Sequence, residues 1–135
     1  MAANTLAVFS LKPDTKVNVI ITATTTDKSG ATPANIKDLF TASTDGTKVT
    51  WIRFKHVGTS AAGIALVWIT DTAGANPTLY GETTYSAITS SITVATAEAN
   101  FYFNDLQLKS GQKIQVGATV VSSNIYVTSG IGDFS

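Results

Sequence analysis

The chain contains no cysteine, three prolines and a single histidine among its 135 residues. Without thiols it forms no disulfides and no thiolate zinc site, so its core must hold without staples, in a setting where cysteine is dispensable. One histidine and no cysteine also fall short of a typical transition-metal ligand set. Charge is scarce. Nine basic and nine acidic residues make 13% of the chain, about half of the roughly 25% usual for a soluble domain. The zero net charge argues against nucleic acid as a partner, because phosphate binding runs on clustered Lys and Arg. No apolar run approaches the roughly 20 residues of a membrane-spanning helix. The N-terminal residues lack the basic start of a secretory signal, and no N-glycosylation sequon occurs.

Small and hydroxyl-bearing residues fill the space that charge leaves. Thr, Ala and Ser occupy 51 of the 135 positions (22, 17 and 12). A weakly charged surface is poor at keeping molecules apart. Such a composition fits a protein whose surface is partly covered by copies of itself or by a partner. The charges are also unevenly spread. Residues 1–55 carry seven basic and four acidic groups, whereas residues 56–108 carry four acidic and no Lys or Arg. If these segments fold to different ends, the molecule has a polar axis suited to contacts between copies.

The dominant hydrophobic period is two. Val17, Val19 and Ile21 alternate with Asn18, Ile20 and Thr22, Ile52 and Phe54 with Trp51, Arg53 and Lys55, and Ile114, Val116, Ala118 and Val120 share one face of a further alternating run. Ile64–Thr70 has little polar character on either face, which predicts a strand covered on both sides, by the core and by a neighbour. Further strands are expected at 36–41 (with a helical turn as the alternative), 79–88, 92–95, 101–103, 106–108 and 125–128. Asp45-Gly46 reads as a hairpin turn, and Asn104-Asp105 separates two short strands. Eight or nine strands, β-branched and aromatic in composition and punctuated every 8–12 residues, predict an all-β chain. The expected fold is a single β-sandwich, jelly-roll-like, with an N-terminal arm or strand. On this reading residues 1–30 are the arm or first strand and residues 31–135 the sandwich body.

Candidate chemistry is sparse. His56 has Ser60 four residues on, but a serine in a glycine-bounded turn is more often a turn residue than a nucleophile, and His56 is read as structural or exposed. Asp71-Thr72-Ala73-Gly74 approaches the Asp-Thr-Gly of small aspartic proteases, with Ala73 displacing the glycine. Asp45 and Asp133 stand in glycine-containing segments that each offer a single carboxylate, too few for calcium. No enzyme, cofactor or metal is therefore expected. Aromatics are the other route to function. Trp51, Trp68 and the tyrosines offer either core filling, interface hot spots or a sugar-stacking platform.

The residues Ile36–Ala42, Asp45–Val49 and Trp51–Gly58, followed by Leu106-Gln107-Leu108-Lys109-Ser110-Gly111-Gln112-Lys113-Ile114-Gln115-Val116 and the strand around Val120–Val127, resemble small β-sandwich structural proteins of tailed bacteriophages. The resemblance spans about residues 34–134. It implies a virion component of the head-decoration, head-fibre or tail-associated kind, assembled in the host bacterial cytoplasm. Its partners would be further copies of itself, a trimer being favoured, and the major capsid protein or other virion proteins, with no nucleic acid and no membrane. The contact residues expected are Trp51, Val67, Trp68 and Ile69, with Leu6, Val8, Phe9 and Leu11 docking on a partner. The alternative function is a carbohydrate-binding or adhesin module.

Overall fold

In the computed structural model, which describes residues 12–30 and 35–134, the chain is all-β. Its eight strands are β1 (Lys12–Ile21), β2 (Lys37–Thr41), β3 (Thr47–His56), β4 (Gly63–Ile69), β5 (Thr78–Tyr85), β6 (Glu98–Leu108), β7 (Lys113–Ala118) and β8 (Ile125–Asp133). They form two antiparallel four-stranded sheets, ordered β1-β8-β3-β6 and β2-β7-β4-β5. Only β4 and β5 are neighbours both in sequence and in one sheet; every other connection crosses between sheets. Eight strands interleaved in this way make a jelly roll.

The alternation of apolar residues explains which side of each sheet faces inward. Val49, Ile52 and Phe54 of β3, Ala65 and Val67 of β4, Ile114, Val116 and Ala118 of β7, and Ile125 and Val127 of β8 are fully buried in one shared cluster. Fully burying one such side chain is worth about 1.5–3 kcal/mol. Val49 and Ile52 both point inward although they are three residues apart, because β3 carries a bulge between Val49 and Trp51 that shifts its register against both neighbours. The bulge leaves Thr50 and Trp51 together on the outer side, the kind of re-aiming for which bulges are used.

Several local expectations give way to longer-range pairing. Asp45-Gly46 is a corner, not a hairpin: β2 pairs with β7, whereas β3 pairs with β6 and β8. Gly46 is needed there because its φ is 98° and a Cβ would lie 2.8 Å from the Leu108 carbonyl oxygen. Of residues 36–41, Lys37–Thr41 form strand β2 and not a helical turn. Residues 92–95 form a tight turn instead of a strand. Asn104-Asp105 does not divide β6; the ladder to β3 skips from Tyr102 to Leu106, so the polar pair sits in an irregularity of an edge strand. The last strand runs on through Gly130 and Gly132 to Asp133. Residues 12–21 form an edge strand of the sandwich itself.

The uneven spread of charge along the sequence makes no polar axis of these segments, because they interleave in the fold. Lys28 reaches Glu82 at 2.8 Å, and Arg53 and Lys55 flank Glu98 at 3.8 and 4.0 Å. The acidic stretch therefore folds against the basic one. These pairs are exposed and contribute little to stability.

Candidate interaction surface

The strand registers place the loops 57–62, 86–97 and 119–124 at one end of the sandwich, and the loops 42–46, 70–77 and 109–112 at the other; the β1–β2 connection leaves from the first end and brings Gly30 against Pro77 of the second. The two ends differ in chemistry. The segments 57–62, 86–97 and 119–124 contain no Asp, Glu, Lys, Arg or His. Asp45, Asp71 and Lys109 mark the opposite end. Among the described residues, the large hydrophobic side chains left exposed are Ile20, Val57, Tyr80, Ile92, Val94, Tyr102 and Tyr126. All but Tyr80 and Tyr102 lie at or beside the uncharged end, because Ile20 is next to last in β1, Val57 follows β3 and Tyr126 is second in β8.

Ile92 is the extreme case, with its whole side chain in solvent at 104% relative exposure. Hydrogen bonds hold it there. Ser91 and Val94 exchange backbone bonds at 3.2 and 3.3 Å across Ile92-Thr93, and the Ser91 hydroxyl oxygen accepts from the Thr93 and Val94 amides at 3.2 Å. The loop is tied to its neighbour by a bridge between Ser60 and Ile88 and by the Ser90 amide donating to Thr59 Oγ1 at 3.2 Å. An isoleucine presented on a hydrogen-bonded turn, amid Ser, Thr and Ala, suits burial against a partner.

The outer face of the β1-β8-β3-β6 sheet continues this surface. Trp51 is half-buried there, with the Arg53 guanidinium 5.8 Å from its ring centre. Arg53 Nε donates to Asn100 Oδ1 at 2.9 Å. Tyr102, the ladder partner of Trp51 on β6, is 73% exposed. Trp, Tyr and Arg are the residues most enriched at binding hot spots.

The structure divides the residues expected to make contacts. Trp51 lies on the surface. Val67 and Trp68 do not: both have no accessible surface within the single chain, so neither can meet another copy. Val67 belongs to the core cluster, and Ile69 packs against it. Trp68 faces the other way, under the β1–β2 connection, and its indole N–H donates to the Lys28 carbonyl at 2.8 Å. The neighbour expected to cover this face is the chain itself. Leu6, Val8, Phe9 and Leu11 lie outside the described residues.

The residues weighed for chemistry are held apart. His56 is buried, with Nδ1 3.2 Å from the Ala97 carbonyl oxygen and its ring edge-on to Tyr85 at 4.5 Å. A carbonyl only accepts, so Nδ1 carries the proton, and Nε2 is buried without a partner. Burial pushes the His56 pKa below its ordinary value, outweighing the opposing bond to Ala97, and nearby Lys55 lowers it further. Ser60 Oγ donates to the Ser86 carbonyl. Asp71 sits at the opposite end and organises its own loop: Oδ1 accepts from the Ala73 and Ala75 amides at 3.0 and 2.9 Å, and Oδ2 from Asn76 Nδ2 at 2.9 Å. Among the described residues no three His, Asp or Glu side chains gather in a group able to hold a metal ion, and no helix is long and apolar enough to cross a membrane.

Sequence reasoning missed Ile20, Val57, Ile92 and Val94. The available signal was the uncharged run from Ser86 to Ala97, whose Ile92 and Val94 read as an alternating strand. A scan against protein-family models gives no match, and a search of curated proteins gives none either.

Proposed function

We propose that the chain is a structural component of a bacteriophage virion, a decoration, head-fibre or tail-associated module that works by packing against copies of itself and against other virion proteins. The observation that carries this reading is the uncharged loop end with Val57, Ile92 and Val94 exposed on hydrogen-bonded loops. Each such side chain contributes about 1.5–3 kcal/mol when fully buried against a partner, and several weak contacts combine when copies are held together. The jelly roll is used by viral capsid proteins and also by lectins, so the fold supports the class by analogy only. The resemblance across residues 34–134 supplies the virion context.

Sedimentation velocity on the full chain tests the reading, with a trimer as the expected species. Replacing Ile92 and Val94 by Asp should dissociate it while leaving the melting temperature of the fold unchanged. A monomer at every concentration that also fails to co-sediment with capsids would overturn the proposal.

A further inference from the structure

A second feature on the outer face of the β1-β8-β3-β6 sheet goes beyond assembly at the loop end and does not depend on it. Trp51 stands opposite Gly130 in the β3–β8 ladder. A Cβ on Gly130 would meet Nε1, Cε2 and Cδ1 of the indole, all within 2.8 Å. Such closely matched approaches to three adjacent ring atoms mean that the Cβ would point into the face of the ring and not its edge. The pyrrole ring therefore lies over the glycine backbone, an approach only a residue without a side chain permits, and its opposite face is turned away from the sheet, with the Arg53 guanidinium 5.8 Å from the ring centre. Next to the indole runs an open groove of about 420 Å³, lined by Asp14, Thr15, Lys48, Thr50 and Gly132 besides Trp51 and Gly130.

We propose that this groove binds a neutral pyranose unit stacked on Trp51. A sugar ring offers one face of C–H groups, which packs on an aromatic face, and a rim of hydroxyls that both donate and accept. The groove supplies the matching set. Asp14 accepts, Lys48 donates, and the Thr15 hydroxyl does either. Thr50 Oγ1 already donates to the Gly130 carbonyl at 2.8 Å, so toward a ligand it accepts. The lining carries the Asp14 carboxylate as well as the Lys48 ammonium, and a carboxylate there disfavours a phosphorylated or sulfated ligand relative to a neutral one. The open, mixed lining differs from the enclosed apolar pocket that a hydrophobic small molecule fills. Stacking of a nucleobase on Trp51 is chemically open as well, but among the described lining residues of the groove only Lys48 is basic, which is little to carry phosphates.

The test is a printed array of neutral hexose and N-acetylhexosamine oligosaccharides, with sialylated and sulfated arms, probed with the labelled full chain. The strongest binder is then titrated against tryptophan fluorescence. The chain has only two tryptophans, and Trp68 is buried, so a shift in emission on titration reports Trp51. The expected result is binding to neutral glycans that falls tenfold or more in Trp51→Ala and also falls in Lys48→Met, a change at a partly exposed side chain that leaves the core untouched. The Ile92→Asp variant should bind as the native chain does, which separates this site from assembly. No glycan signal above that of Trp51→Ala, binding confined to the charged arms, or binding that survives both groove variants would each overturn the proposal.

Discussion

The indole N–H of Trp68 donates to the main-chain carbonyl of Lys28 at 2.8 Å, and this bond ties the β1–β2 connection onto the outer face of the second sheet. Gly117 makes room for it: a Cβ there would lie 3.1 Å from the Trp68 ring and 2.8 Å from Thr25 Oγ1. The Thr25 amide bonds to the Ala118 carbonyl at 2.8 Å, which fixes the same segment to β7. Trp68→Ala should therefore cost about 3–5 kcal/mol of folding stability, as expected for deleting a buried aromatic. Urea unfolding measures this. Trp68→Phe should lose less, since it keeps most of the packing and forfeits mainly a hydrogen bond worth about 0.5–1.5 kcal/mol. A Trp68→Ala chain that folds as stably as the native one but no longer self-associates would show that the indole serves an interface and not the monomer.

The pH dependence of stability should carry the signature of His56. Its pKa is lowered by burial in the folded state, so between the folded value and the ordinary 6.5 the unfolded chain binds more protons. Stability then rises with pH through that window. The contribution is fully present above about pH 6.5 and is lost as pH falls toward the folded value, with a slope of at most about 1.4 kcal/mol per pH unit for one proton. No other side chain ordinarily titrates between pH 5 and 6.5 in a chain with one histidine and no cysteine. Melting curves across pH 5–7.5 should therefore show a decline on the acid side that His56→Phe removes. An identical decline in that variant would assign the effect elsewhere.

How far the fold could be read from the sequence depended on the range of the interactions involved. The alternation in Thr47–His56 and Lys113–Ala118 is a local property, and it identifies both the strands and their inward faces. Sheet membership is not local. Asp45-Gly46 looks like a hairpin turn because its neighbours are apolar, yet Thr47–Val49 finds its partners in β6 and β8 near the end of the chain. The double-sided apolar character of Ile64–Ile69 correctly implies two covered faces. What covers the outer one, the segment around Thr25–Lys28, is polar and carries no hydrophobic signal. The candidate surface was half legible for the same reason. Trp51 follows from its place opposite Ile52 and Phe54, whereas Ile92 and Val94 are exposed by a turn that Ser91 closes with its hydroxyl, a contact that strand periodicity does not encode.

Gly63 should be intolerant of any side chain. A Cβ at this position would stand 2.5, 2.7 and 2.9 Å from Oη, Cζ and Cε2 of Tyr85. The tyrosine cannot easily retreat, since its hydroxyl donates to the Val120 carbonyl and its ring meets His56. Gly63→Ala is expected to cost about 1–3 kcal/mol, the range for overpacking a tight site. The double variant Gly63→Ala with Tyr85→Leu should lose less than the sum of the two single changes, because the clash disappears with the phenol ring. Strict additivity in urea unfolding would show that Tyr85 is not what Gly63 accommodates.

Asp71 offers a test confined to one loop. Its carboxyl is held below the ordinary value chiefly by the Ala75 amide, then by Asn76 and the Ala73 amide, although the side chain is exposed. The bonds require the charged form, so their contribution is present above the ordinary carboxylate pKa and is lost as pH falls through the lowered folded value. Asp71→Ala should speed amide hydrogen exchange at Ala73 and Ala75 and leave β4 protected, because Thr70 keeps its own bonds to Lys113 at 3.1 and 2.8 Å. Gly74 reinforces the same turn with a φ of 75° and a backbone bond to the Asp71 carbonyl at 3.0 Å. Unchanged exchange at both alanines in Asp71→Ala would mean that the glycine turn alone shapes the loop. Accelerated exchange restricted to residues 72–76 would mark the aspartate as the organiser of this loop.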